Sequence, residues 1–230
     1  MKNRLFLASQ VIWLCLALPV QAAGNSDAWN SVAQQIDAIK GTFDSNVAKQ
    51  NAQNVQTIYS QLDTMRTRDE SRFLVDLSNQ PGKVQLFLCR YLESRKVKNS
   101  VPVLIKVYDR LNEKTETSFL RDSIVTTIAG LDAASNRKFF LGVLSSKDNF
   151  ARMAAVQALG NLPEDHATVT ALRTTLLSDT NPMVRREAAF ALGNFPKDEW
   201  AKQGLEEAQR DGQDVERAIK MSLNKLKNGK

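Results

Sequence analysis

Histidine is nearly absent from these 230 residues: there is one, His166, together with two cysteines, six prolines and an aromatic content of only 7%. One histidine and two cysteines leave no multi-histidine metal site, and two cysteines are too few for a disulfide-stapled miniprotein. Gly-rich nucleotide loops of the GxGxxG or phosphate-loop type are missing as well. His166 follows Asp165 at a turn, with no nucleophile elbow to complete a triad, and adjacent acids such as Glu206 and Glu207 do not face each other on a helix. The reading is a protein with no catalytic residues, no cofactor and no metal. No apolar run after residue 20 approaches the roughly 20 residues needed to cross a bilayer, so no transmembrane span is expected.

What is present begins with a short basic start, Lys2 and Arg4, followed by an apolar stretch from Leu5 to Val20 whose uninterrupted part, Val11 to Leu18, is short. Pro19 leads into Val20, Gln21 and Ala22, a small-x-small ending. This pattern predicts a secretory signal peptide over residues 1–22 and a periplasmic or secreted protein; an uncleaved N-terminal anchor is the alternative. Loss of Lys2 and Arg4 lowers the net charge from +6 to +4. It also removes Cys15, leaving Cys89 alone in the apolar run Val84 to Leu92. There it reads as a small buried hydrophobe, with a reactive thiol as the alternative.

Residues 23–80 form a first region, rich in Gln, Asn and Ser before residue 68. Trp29, Val32, Ile36, Ile39 and Phe43 follow helical steps of three and four, as do Val55, Ile58, Leu62 and Met65. The two series are out of phase, with Gly41 between them. They predict either an amphipathic helical hairpin or one long helix with a stutter. Such a region either caps the open end of the C-terminal region or serves as a dimer seam or docking helix.

From residue 81 to 230 the chain repeats itself. Arg152–Asp165 laid over Arg185–Asp198, 33 residues on, is identical at eight of fourteen positions: Arg152, Ala155, Ala158, Leu159, Gly160, Asn161, Pro163 and Asp165 face Arg185, Ala188, Ala191, Leu192, Gly193, Asn194, Pro196 and Asp198. A weaker copy runs from Val215 to Leu226 at an offset of 31, with Asn224 in place of Gly193, and an earlier one covers Arg121 to Leu131. A period in the low thirties means stacked supersecondary units. Ala154, Ala155, Ala158, Leu159 and Leu162 share one helical face. Gly160 and Gly193 are read as left-handed helix-ending residues, Pro163 as a stop, and Asp165 and Asp198 as caps of the next helix. Second helices are predicted over His166–Leu177, Glu199–Arg210, Val101–Leu111 and Arg137–Leu144.

These residues resemble the HEAT-repeat family, in its short phycobilisome-lyase-type form. The family pattern stands here as Asn181, Pro182, Val184, Arg185, Ala188, Ala189, Ala191, Leu192 and Gly193, and in the preceding copy as Asp148, Arg152, Ala155, Ala158, Leu159 and Gly160. The resemblance implies an all-α fold: a right-handed α-solenoid of about four or five stacked helix pairs, preceded by the amphipathic helical region. It also implies that Arg152, Arg185 and Arg217 link units structurally, with Asp148, Asn181 and Asp214 as turn partners. A solenoid offers an extended surface. The expected function is therefore exported, non-enzymatic protein binding or scaffolding, with Thr170, Arg173, Lys202, Glu206 and Gln209 as exposed candidates for partner contact. A lyase-like or small-molecule-binding role is the alternative that family analogy offers. Lys220, Lys225, Lys227 and Lys230 crowd the C-terminal end. They suit weak contact with an anionic membrane surface, whereas +4 on an exported chain is too weak a field for nucleic acid.

Overall fold

The structure is a computed structural model and describes residues 26–39, 45–111, 117–208 and 212–228. The predicted signal peptide, Phe43 and Gln209 lie outside the described residues. Everything described is helical or turn; there is no strand among these residues, and no helix long and apolar enough to cross a membrane. Among them, twelve α-helices follow one another: α1 (26–38), α2 (Ser45–Arg68), α3 (Glu70–Leu77), α4 (Gly82–Ser94), α5 (Val101–Arg110), α6 (Ser118–Asp132), α7 (Arg137–Val143), α8 (Asn149–Gly160), α9 (His166–Ser178), α10 (Pro182–Leu192), α11 (Glu199–Glu207) and α12 (Gln213–Asn228). The chain forms two compact units, Met1–Phe73 and Leu74–Lys230.

In the first unit the sequence's two alternatives are decided by two contacts. Gln35 Nε2 donates to Gln61 Oε1 at 2.9 Å, and the Trp29 ring stacks on Phe73 with centroids 5.4 Å apart. Residues early in α1 meet residues late in the segment, so the chain folds back as a hairpin rather than continuing as one helix. Trp29, Val32, Ile36, Ile58 and Leu62, all on the predicted stripes, are buried. Tyr59 and Phe73 join them.

The second unit carries the repeats. Here α4, α6, α8, α10 and α12 pack each against the next, while α5 lies on α6, α7 on α8, α9 on α10 and α11 on both α9 and α12. The helices start where side chains can satisfy orphan amides. Asp148 accepts from Phe150 N and Ala151 N, Asp165 from Thr168 N, Asn181 from Met183 N, and Asp198 from Trp200 N and Ala201 N. The predicted apolar face of α8 is buried throughout, from Ala154 to Leu162.

The helix ends differ from expectation. No described glycine has a positive φ; Gly193 sits at φ −63 and ψ −6, and α8 runs through Gly160 to a right-handed cap at Asn161. The glycines are there for closeness instead. A Cβ on Gly160 would lie 2.6 Å from Ala191 Cβ and 2.9 Å from its Cα. One on Gly193 would lie 2.8 Å from Ser222 Cβ. Ala191 and Ser222 occupy the same repeat position, so each glycine admits the small residue of the following repeat helix. Asn194 Nδ2 then donates to Gly160 O at 2.8 Å, and Lys225 Nζ to Asn194 Oδ1.

Candidate functional site

Of the repeat arginines, Arg121 and Arg152 are buried and Arg185 is half-buried, whereas Arg217 is exposed, as is Asp214. Arg152 is buried and makes a two-point ion pair with Asp179, Nε to Oδ2 at 2.7 Å and Nη2 to Oδ1 at 2.8 Å, while Nη1 donates to Ser146 O at 2.8 Å. The carboxylate that its fork meets at two points is thus Asp179, in the turn before α10. Asn181 is occupied as the cap of α10. Geometry explains the choice: a planar fork needs a carboxylate facing it from the next turn, and a capping side chain is turned toward its own helix. Arg185 repeats one half of this arrangement by donating to Asp179 O at 2.7 Å.

Arg121, the equivalent residue one repeat earlier, has a different set of neighbours. Its Nη1 donates to Leu111 O at 2.9 Å, and its Nη2 to Tyr108 Oη at 2.8 Å and Ser146 Oγ at 3.1 Å. The guanidinium also lies 4.2 Å from the centre of the Tyr108 ring. Ser146 holds the position that Asp179 holds beside Arg152. Asp148 instead brings a carboxylate close, its Oδ2 standing 3.9 Å from Arg121 Nε. Asp148 Oδ1 meanwhile accepts from Ser118 Oγ at 2.8 Å and from the cap amides.

Each of these arginines floors a cleft between successive second helices. Arg121 lies beneath a cleft of about 620 Å³ between α5 and α7, Arg152 beneath one of about 460 Å³ between α7 and α9, and Arg185 beneath one of about 340 Å³ between α9 and α11. The first is lined by Ile105, Tyr108, Asp109, Asn136, Lys138, Phe139, Gly142, Ser145 and Ser146. Burial pushes the Tyr108 phenol above its ordinary value of 10, outweighing the opposing effects of Ser146 and Arg121, so it stays a neutral donor at neutral pH.

The residues predicted to meet a partner are placed unevenly. Lys202 and Glu206 are exposed, Thr170 is half-buried, and none of the three lines these clefts. Arg173 is not an open position. Its Nη2 donates to both oxygens of Glu207 at 2.7 and 2.8 Å, and the guanidinium lies 5.0 Å from the Trp200 ring. A Cβ at Gly204 would come within 2.7 Å of Arg173 Cγ, so α11 is shaped to receive that arginine and Arg173 ties α9 to α11. His166 is exposed, 3.8 Å from Asp198 and edge-on to Trp200 at 5.2 Å. Among the described residues no group of three or more His, Cys, Asp or Glu converges. Cys89 is free and buried, and burial pushes its thiol up to about 12, which makes it the small hydrophobe the sequence suggested.

A second surface shows the same period. Phe119, Phe150 and Met183 take equivalent positions in the first turns of α6, α8 and α10, all exposed. The rings of Phe119 and Phe150 stack at 6.2 Å. Phe190 and Met221, also equivalent to each other, are exposed toward the other end of α10 and α12. Sequence reading passed over Tyr108, Phe139, Gly142 and Ser146. The available signal was Gly142, a glycine inside an apolar helical run with no counterpart at the repeat period. No protein-family model matches the chain, and no curated protein matches it.

Proposed function

We propose that the chain is an exported, non-enzymatic scaffold that binds a partner polypeptide along a HEAT-like, right-handed α-solenoid. The observation that carries this reading is the row of three clefts between α5, α7, α9 and α11, each floored by the same repeat arginine. A feature that recurs at the period of the fold gives an extended ligand equivalent footholds, as a chain with its own repeat or a long helix would need. The order in which the even-numbered helices pack supports the stacked arrangement, and the exposed Phe119, Phe150 and Met183 supply a hydrophobic margin. Export rests on the basic and apolar start of the sequence, and places the partner in the periplasm or outside the cell.

The test is photo-crosslinking in cells, with the reactive group placed at Ser145 or Thr174 in the clefts and, as a control, at Thr126 on α6. Discrete adducts from the cleft positions and none from Thr126 are expected. A purified protein that carries a small molecule and gives no adduct from any position would favour the lyase-like alternative. Mass spectrometry of the envelope form reads the export step, with Ala23 expected as the first residue.

A further inference from the structure

Helices α8, α10 and α12 carry a further groove, and none of its residues lines the three clefts between the second helices. It holds about 380 Å³ and follows the repeat: Gln157, Phe190 and Met221 are equivalent positions along its middle, and the small residues Gly160, Ala191 and Ser222 floor it. Phe190 is 38% exposed and Met221 57%. Two large apolar side chains left side by side in water over a concave floor mark a contact surface. Met153 and Met183 fall four and seven residues before this row on the same helix faces, so three of the chain's five methionines gather here. Methionine is unbranched and adapts to the side chains set against it.

Charge stands to either side of the apolar row. One turn before it are Arg186 and Arg217, and one turn after it Asn194 and Lys225. Glu187 is the acid in the groove; it accepts from Gln157 Nε2 at 3.2 Å and pairs with Arg186, Nη2 to Oε1 at 2.9 Å, so its charge is matched. Lys220 on α12 is likewise taken by Glu216. Lys225 Nζ donates to Asn194 Oδ1, and Asn194 Nδ2 to Gly160 O at 2.8 Å, which holds the ammonium at the groove rim. Among the described residues neither Lys225 nor Arg217 meets a carboxylate, and Asp214, the other acid on this face, lies two turns before Met221. Met221 is thus bracketed by two cations that no described acid answers.

The spacing of those cations selects the shape of what they meet. Arg217 and Lys225 are eight residues apart, about 12 Å along α12, and an α-helix with its side chains is about 10–12 Å across. Packed helices lie about 8–10 Å apart, so the row from Gln157 to Met221 runs about 20 Å, the length of about 13 helical residues. We propose that this groove seats an acidic amphipathic helix of a second partner polypeptide. The helix lies across α8, α10 and α12, with its apolar stripe on Phe190 and Met221 and its flanking acids against Arg217 and Lys225. The site is separate from the clefts and gives the scaffold a second binding face.

The experiment uses the full chain and a blocked, fluorescein-labelled helical peptide of about 18 residues, with a leucine stripe bordered by glutamates, and a twin with lysine at every glutamate. The glutamate peptide should bind saturably by fluorescence anisotropy, and the lysine peptide about tenfold more weakly. Exchanging both cations, Arg217→Glu with Lys225→Glu, should reverse that order. Its unfolding temperature should stay within about 2 °C of wild type, because both side chains are exposed. Met221→Ser, at another exposed position, should weaken the glutamate peptide about tenfold with every charge kept. Absence of binding by the wild type overturns the proposal. Binding that survives either change overturns it too, because attraction to net charge alone would behave that way. So does binding of phosphatidylglycerol vesicles through the same two cations in place of the peptide, which would make the face a membrane contact. Crosslinks from Ser145 and Thr174 read the clefts independently, so either proposal can fall while the other stands.

Discussion

Arg152 and Asp179 show how much one residue's role depends on what faces it. Both side chains are about nine-tenths buried, and their two short hydrogen bonds join the start of α8 to the turn before α10. Removing one member of such a pair leaves an uncompensated charge, with a cost of about 3–5 kcal/mol. Asp179→Ala should therefore destabilise the second unit by about that amount, with part of the loss coming from the bond that Asn181 N makes to Asp179 Oδ1. Adding Arg152→Met should recover much of it, because the stranded charge goes with the arginine. Urea unfolding of the wild type, both single variants and the double variant closes the cycle. Strict additivity would mean that Arg152 and Asp179 act separately. At Arg121 the same logic predicts a milder pair, since the 3.9 Å approach of Asp148 is shared with hydrogen bonds to Tyr108 and Ser146.

At the level of helices, the repeat was legible because period, face and cap are local signals. The stripe of Ala154 to Leu162, the caps Asp165 and Asp198, and the second helices beginning at His166 and Glu199 all arise from residues within one turn of each other. What lay beyond the sequence was contact between repeats. A glycine near a helix end serves equally a left-handed turn or a close approach, and only the neighbour 31 residues on shows that Gly160 is the second kind. The capping residue and the arginine lie within one turn of each other, which makes the cap the partner that the sequence offers, whereas the fork of Arg152 reaches Asp179. The first cleft draws its walls from α5, α6, α7 and the turn after it, where the repeat copies are weakest in sequence, so the period foretells its arginine but not the side chains around it. The close-approach account separates two substitutions at one repeat position. Gly193→Ala should cost about 1–3 kcal/mol through overpacking on Ser222. Asn224→Ala, in the copy where the residue is exposed, should be neutral or stabilise by about 0.5 kcal/mol. Thermal unfolding of the two variants decides it, and equal effects would return the glycine to a turn role.

For the whole molecule, the pH dependence of stability gathers the buried titratable groups. Cys89 has its thiol raised from 9.0 to about 12, chiefly by burial and in part by Glu93, and Tyr108 is raised above 10 by burial. In both cases the unfolded chain releases the proton first. The stabilisation is therefore complete below about pH 9 and is lost as the pH climbs toward 12, on the order of 4 kcal/mol for Cys89 alone. On the acid side two carboxylates oppose each other. Thr168 N–H, with Arg137, holds Asp165 below 3.8, so its contribution is lost as the pH falls through its folded value; Asp165 is nearly half exposed, so solvent screening makes this term small. Burial, with Asp148 nearby, raises Asp122, whose contribution is lost as the pH rises through the carboxylate range. Urea-unfolding free energies should accordingly vary little from pH 5 to 8 and fall steadily from pH 9 to 11. Cys89→Ala will lower the plateau through the cavity it leaves, but it should remove most of the alkaline slope, with the remainder assigned to Tyr108. An unchanged slope in that variant would mean that a group other than this thiol governs alkaline unfolding, and that Cys89 ionises in the native state more readily than its burial allows.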